Sequence, residues 1–197
     1  MTGITPTDTS FDPRPRLATA LDQMQAQIEA VGADDLDRPT PCGDYNVRML
    51  LGHVLAVIRK LAVAGRGGDA SQVTDPADDI TEGWTDAIRQ ARADLDQVWS
   101  ADTSLERDCT LPWATMPGRD VLDTYTHEFT VHAWDLARAT GRVDDLDPVL
   151  AKMALEWFSR NVPEDARSED GAFGPAIAVA DDADVFTKLA AYVGRKP

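Results

Sequence analysis

Four long stretches of the sequence carry apolar residues at intervals of three and four, the spacing of helices that bury one face. They begin near residues 14, 46, 80 and 119 and end near residues 32, 64, 99 and 140. Asp44 or Asn46 is a suitable cap for the second stretch, and Gly32 and Gly141 offer stops. Because each apolar stripe needs a partner, the sequence predicts a mainly α fold, an antiparallel four-helix bundle.

The remaining segments predict shorter elements. CTLPWATMPG (residues 109–118) is expected to form a strand or an irregular hairpin, because its prolines exclude a helix. A fifth helix is expected from about Asp147 to Asn161, followed by a short strand at AIAVA and a final helix from about Asp182. We therefore predict a flexible leader over residues 1–13, a bundle over 14–163 and a small C-terminal appendage over 164–197 that packs on it.

The charge balance narrows the classes of partner. The chain has 19 Lys and Arg against 34 Asp and Glu, a net charge of −15, which repels nucleic-acid phosphates and anionic lipid. No apolar run approaches the roughly 20 residues of a membrane span, and the first residues lack a secretion signal. Cys42 and Cys109 are isolated in the sequence and form no metal-binding or disulfide pattern, so we expect free thiols in a reducing compartment. We expect a cytoplasmic protein that binds neither nucleic acid nor membrane; a homodimer stays open.

Ligand-type side chains occur at inward positions of two predicted helices. Glu128 and His132 are four residues apart and share one helical face, and His53 lies at the edge of the second helix's apolar stripe. Two imidazoles and one carboxylate, with a fourth position open, are the ligand set of a catalytic zinc site. We predict a divalent metal at His53, Glu128 and His132, most simply Zn²⁺, with Ni²⁺ and Fe²⁺ as alternatives.

Other interpretations of the same residues stay open. The histidines could be core residues, with Glu128 paired to Arg48 or Arg138. The string HEFTVH is not the zinc-protease motif, because its histidines are five residues apart and lie on different faces. A di-iron carboxylate site is not expected, because it would need carboxylates from all four helices. Two histidines and one carboxylate also form the iron(II) facial triad, so a non-haem iron(II) enzyme remains an alternative.

Three residues near this set have undecided roles. Asp135 follows His132 by three residues and would orient a ligand as a hydrogen-bond acceptor, or else form a surface salt bridge with Arg138. His127 is about 100° around the helix from Glu128, which indicates a solvated or supporting residue. Cys42 precedes the second helix, where the helix dipole would lower its pKa, although a buried, inert thiol is the common case.

Three segments resemble a known family. RPTPCGDYNVRMLLGHVLAVI (38–58), HEFTVHAWDLARATGR (127–142) and GAFGPAIAVADDADVFTKLAAYVGRKP (171–197) are similar to the actinobacterial-type family related to mycothiol-dependent maleylpyruvate isomerase, within the DinB-like superfamily. The resemblance implies a DinB-like four-helix bundle with a divalent metal, usually zinc. The ligands that it implies are His53, Glu128 and His132.

The same resemblance implies a chemistry. Mycothiol, a low-molecular-weight thiol, would be the cosubstrate, and its activated sulfur would add to a small electrophile, as in an S-transferase or an isomerase. This sequence departs from the characterised isomerase, which carries a larger C-terminal domain that helps to bind substrate, whereas at most about the last 30 residues here are its counterpart. The resemblance therefore does not imply maleylpyruvate as the substrate. The alternatives are a non-catalytic metal-binding or regulatory bundle and the iron(II) enzyme.

Overall fold

Helices dominate the part of the chain that the computed structural model describes, which is residues 11–164, 167 and 173–197. Residues 1–10 of the predicted leader lie outside that part. The helices are α1 (Arg14–Glu29), α2 (Val47–Gly65), α3 (Trp84–Trp99), α4 (Asp102–Glu106), α5 (Gly118–Thr140), α6 (Pro148–Asn161) and α7 (Val185–Tyr192), with 3₁₀ turns at Ala33–Asp35, Ala70–Gln72 and Val143–Asp145.

The predicted bundle is formed by α1, α2, α3 and α5. Helix α5 packs against α1 and α2, and α3 packs against the same two helices from the other side. Leu50 and Leu61 of α2, Ile88 of α3 and Phe129 of α5 are among its fully buried side chains. Helices α6 and α7 cover the remaining side of α5, which explains why α5 is buried almost all round. The predicted mainly α class is confirmed.

Local sequence signals set several helix ends. Asn46 caps α2, since its side chain accepts a hydrogen bond from the backbone N–H of Met49 at 2.9 Å. Gly141 ends α5 with a φ of 75°, the left-handed conformation that glycine adopts without strain. Helix α3 begins only after Gly83, whose φ is 71°, and therefore later than its apolar stripe indicated. The short helix α4 was not predicted.

The predicted hairpin is present. Strand β1 (Asp108–Thr110) pairs antiparallel with β2 (Thr115–Pro117), and Cys109 lies opposite Met116. Leu111 donates its backbone N–H to the carbonyl of Ala114 at 2.8 Å and closes the turn.

The predicted C-terminal strand is wrong, because residues 173–184 contain none. The AIAVA stretch instead bonds to the end of α7, where Ile177 donates its N–H to the Ala191 carbonyl at 2.9 Å. Asp184 caps α7, which explains why this helix begins after residue 182. Helix α7 packs on α5 and α6. Residues 165, 166 and 168–172 of the appendage lie outside the description, and the region boundaries at 13 and 163 stay predictions.

Along the described residues, no helix combines the length and the hydrophobicity that a membrane span requires.

Candidate metal centre

Helices α2 and α5 bring His53, Glu128 and His132 together. Nε2 of His53 lies 3.7 Å from Oε1 of Glu128, and Nε2 of His132 lies 3.9 Å from the same oxygen. The two imidazole rings meet edge to face, with centroids 4.9 Å apart. One nitrogen or oxygen atom from each side chain lies within 4.8 Å of the others. Two residues one turn apart on α5 and one residue of α2 thus converge on one point.

The separations fit a metal better than a hydrogen-bonded cluster. Distances of 3.7 and 3.9 Å exceed the range of a hydrogen bond. Ligand atoms that each lie about 2.1 Å from a tetrahedral zinc ion are about 3.4 Å from one another. A small inward movement of the three side chains would therefore satisfy a divalent cation. Imidazole nitrogen and carboxylate oxygen are donors that zinc accepts.

His53 is oriented by a carboxylate from a neighbouring loop. Its Nδ1 lies 2.8 Å from Oδ1 of Asp75, on the segment between α2 and α3. This loop contacts α2 at Gly52, where Ala77 donates its N–H to the Gly52 carbonyl at 3.0 Å. A Cβ at Gly52 would lie only 2.8 Å from the Ala77 carbonyl oxygen, so a larger residue would push the loop away. Sequence reasoning missed Asp75; Gly52 signals a close neighbour but does not identify it.

His132 is oriented in the same way by Asp135. Its Nδ1 lies 3.0 Å from Oδ2 of Asp135, whose side chain is completely buried. Asp135 pairs with Arg195 of the C-terminal segment at 3.2 Å and not with Arg138 at the surface, as one interpretation proposed. Arg195 also donates to Sγ of Cys42 at 3.2 Å, so the half-buried thiol is part of this cluster.

The proposed pairing of Glu128 with Arg48 is wrong. Arg48 lies near Asp37, at 3.7 Å, and donates to the carbonyl of Thr81 at 3.3 Å. The side chain of Glu128 is 22% exposed, more than its place on the apolar stripe indicated. The exposure arises because Glu128 lines a cavity.

The carboxylates around the two imidazoles favour a positive charge. Burial lowers the pKa of His53, but the hydrogen bond to Asp75 and the nearby carboxylate of Glu128 outweigh it and raise the pKa above its usual value. Burial also lowers the pKa of His132, but its interactions with Asp135 and Cys42 outweigh this effect and raise the pKa to about 10. Each Nδ1 that donates to a carboxylate leaves Nε2 free for a metal. A divalent cation would supply the favoured charge with both imidazoles neutral.

A cavity of about 580 Å³ opens beside the three side chains. Its volume is in the range of small-molecule sites. The polar residues on its wall include His53, Glu128, His132, Lys60, Asp75 and Arg195. The aromatic residues are Tyr45, Trp113, Tyr125, Trp157, Phe158 and Phe173. Most of the wall is therefore apolar, with charged groups gathered around the candidate metal centre.

His127 is buried, so the first of its two predicted alternatives, a solvated side chain, is wrong. Its ring stacks on Trp157 of α6, with centroids 5.1 Å apart. Trp157 donates its Nε1–H to Asp123 at 2.9 Å, and Nε2 of His127 lies 3.8 Å from the same carboxylate. Helix α6 covers this face of α5, which a helical wheel of α5 alone cannot reveal. His127 thus supports one wall of the cavity.

Comparison with known proteins identifies relatives of the chain. Residues 17–137 match the family model described as the mycothiol maleylpyruvate isomerase N-terminal domain. Two proteins of Mycobacterium tuberculosis, the uncharacterized proteins Rv0738 (strain H37Rv) and MT0763 (strain CDC 1551), are each 30% identical over 185 residues. These residues span 94% of this chain and 98% of each relative.

Two solved structures share the fold. Mycothiol-dependent maleylpyruvate isomerase superposes with a TM-score of 0.54 at 16% identity. A histidine-to-alanine mutant described under the same name gives 0.57 at 15% identity. Each comparison covers 75% of this chain and 70% of the other. The family match spans α1 to most of α5 and contains His53, Glu128 and His132. The chain therefore belongs to the mycothiol maleylpyruvate isomerase N-terminal domain family.

Proposed function

We propose that this protein is a metal-dependent enzyme that joins a low-molecular-weight thiol, mycothiol, to a small electrophile. The observation that carries the proposal is the convergence of His53, Glu128 and His132 on one point in the wall of a cavity of about 580 Å³. A non-catalytic metal site does not need such a cavity. Membership of a family named for a mycothiol-dependent isomerase supports the choice of thiol.

Three side chains would bind the metal, and two others orient its histidine ligands. His53, Glu128 and His132 would hold a divalent cation, most simply zinc, and three protein ligands leave a position for a further group. When bound, such a cation would stabilise the thiolate form of a thiol at neutral pH and so provide a nucleophile. Asp75 and Asp135 hold the two imidazoles in the orientation that directs Nε2 to the centre.

The cavity wall would place the second substrate. Its aromatic side chains offer an apolar surface that limits water around the reacting sulfur. Burial raises the pKa of Tyr125 well above its usual value, so its hydroxyl stays protonated at neutral pH. Tyr125 accepts a hydrogen bond from Nε1 of Trp113 at 3.4 Å, and Trp113 is 49% exposed. These two residues are a neutral polar contact within the aromatic wall.

An S-transferase and an isomerase share their first step. In both, the thiolate sulfur adds to one carbon of an electron-poor double bond, and the π electron pair moves toward the electron-withdrawing group of the substrate. In a transferase, the resulting carbanion takes up a proton and the thioether adduct is released. In an isomerase, the former double bond rotates and then forms again as the thiolate is expelled. Detection of a stable thioether product with a panel of electrophiles would assign a transferase, and conversion of a cis to a trans substrate without loss of thiol would assign an isomerase.

Metal analysis and cobalt spectroscopy test the proposal. Elemental analysis of the purified protein should find a stoichiometric divalent metal, and replacement by Co²⁺ should give a visible spectrum. Addition of mycothiol should then produce a sulfur-to-cobalt charge-transfer band. S-methylated mycothiol, which has no free thiol, is the matched control and should produce none. A stoichiometric cobalt protein whose spectrum mycothiol leaves unchanged would exclude the thiol role. Activity restored by iron alone, and only with oxygen, would assign the iron(II) enzyme instead.

A further inference from the structure

Lys60 of α2 is a mostly buried cation near the candidate metal centre. It follows His53 by seven residues, two helical turns, and so lies on the same side of α2. Its side chain is 15% exposed and lines the cavity. Its Nζ lies 2.6 Å from Oδ2 of Asp75. A lysine at such a position places its charge inside the site and not in bulk water.

Asp75 is shared between Lys60 and His53. One carboxylate oxygen contacts Nζ of Lys60 at 2.6 Å, and the other contacts Nδ1 of His53 at 2.8 Å. Two charge-assisted hydrogen bonds, one at each oxygen, define the rotation of the carboxylate. A carboxylate bonded at one oxygen only would be free to turn.

The loop that carries Asp75 is attached to α2 independently of Lys60. Arg59 forms two hydrogen bonds with Asp79, at 2.8 and 3.0 Å. The backbone of Ala77 bonds to the Gly52 carbonyl at 3.0 Å. Removal of the Lys60 ammonium therefore leaves the loop in place and changes the restraint on one carboxylate.

The other histidine has an equivalent arrangement. Asp135 contacts Nδ1 of His132 with Oδ2 and Nε of Arg195 with Oδ1. Each imidazole of the centre thus contacts a carboxylate, and that carboxylate in turn contacts a cationic side chain. The same series of contacts occurs at both histidines, although different segments of the chain supply it. This repetition indicates that the cation helps to orient the histidine ligand through the carboxylate.

We propose that Lys60 is a positioning residue of the metal centre, which acts through Asp75 to hold the imidazole of His53 with Nε2 toward Glu128 and His132. The inference rests on the proposed function, because it requires that the site bind a divalent cation. Lys60 does not touch the ion; it fixes the carboxylate that fixes the ligand.

The test compares variants at two adjacent positions. Lys60→Met removes the ammonium and keeps the length of the chain, while Lys60→Arg restores a positive charge. Lys60→Gln is a second neutral variant that keeps a polar end in case Lys60→Met does not fold. Arg59→Met is the matched control, because it breaks an ion pair between α2 and the same loop without contacting Asp75. The readouts are the zinc dissociation constant from chelator competition, the absorption spectrum of the Co²⁺ protein and urea unfolding of the metal-free protein.

Lys60→Met and Lys60→Gln should weaken zinc binding by about tenfold, the lower end of the range for residues that support metal ligands. Both should also alter the cobalt spectrum, and Lys60→Arg should recover most of the affinity. Arg59→Met should keep the wild-type dissociation constant and spectrum. Wild-type affinity in both neutral variants would overturn the inference while leaving the proposed function intact. An equal loss in Arg59→Met would also overturn it, because attachment of the loop would then be the cause. A wild-type protein that binds no metal would overturn both.

Discussion

The two histidines of the candidate metal centre have the same kind of support in different surroundings. His53 contacts Asp75, which is 20% exposed and reaches Lys60 on the same helix as His53. His132 contacts Asp135, which is fully buried and pairs with Arg195, 60 residues further along the chain. Water can replace a lost partner on the first side but not on the second. We therefore expect the hydrogen bond between Asp75 and His53 to support mainly metal binding. The hydrogen bond between Asp135 and His132 should support both metal binding and the stability of the fold.

Removal of either histidine should have the largest effect. His53→Ala and His132→Ala should each reduce the metal content from stoichiometric to background, measured by elemental analysis. His132→Ala should also lower the free energy of unfolding of the metal-free protein more than His53→Ala does. The reason is that Asp135 would lose a partner while it remains fully buried, whereas Asp75 reaches solvent. Unchanged metal content in His132→Ala would refute the site.

Asp135→Asn should destabilise the protein most among the supporting residues. The substitution leaves the guanidinium of Arg195 buried without its carboxylate partner. Loss of one member of a buried pair costs about 3–5 kcal/mol of unfolding free energy. Urea unfolding of the metal-free protein measures it. The double variant Asp135→Asn/Arg195→Met should recover part of the loss, because neither charge remains. A loss no larger than that of a surface substitution would show that the two supports are energetically alike.

Asp75→Asn should affect metal binding more than folding. The amide keeps an acceptor for His53 but loses the charge that both His53 and Lys60 contact. The zinc affinity should fall by about 10- to 100-fold in a chelator competition assay. The unfolding free energy should fall by less than in Asp135→Asn, because the side chains of Asp75 and Lys60 keep some contact with solvent, whereas that of Asp135 has none. Asp79→Asn, on the same loop but paired with Arg59, is the control and should keep the zinc affinity.

His127→Ala should have the smallest effect on the centre. His127 stacks on Trp157 on the side of α5 that α6 covers, so the metal content should stay stoichiometric. The free energy of unfolding should fall by about 0.5–3 kcal/mol, because a buried ring is lost. Elemental analysis and urea unfolding of one preparation measure both quantities. Loss of metal would mean that the ligand on α5 is His127 and not His132.

The bundle was predictable because its determinants are local. The apolar periodicity of α1, α2, α3 and α5, the Asn46 cap and the Gly141 stop each depend on residues a few positions apart. The AIAVA strand failed for the opposite reason. The backbone N–H of Ile177 bonds instead to the end of α7, and a strand requires a partner strand that residues 173–184 do not find. The burial of His127 likewise depends on α6. This helix is distant in sequence from that turn of α5 and contacts it only because the chain folds back.

Amino-acid spacing alone determines that Glu128 and His132 share a face, because the helix repeat places residues four apart side by side. It also indicates that His53 turns toward the core. The side chains that other segments bring to the centre, Asp75 and Arg195, could not be read in this way. These side chains reach the centre by loop packing on Gly52 and by the return of the C-terminal segment. Helical periodicity is a property of one segment, whereas a hydrogen bond between distant segments exists only once the whole core has packed.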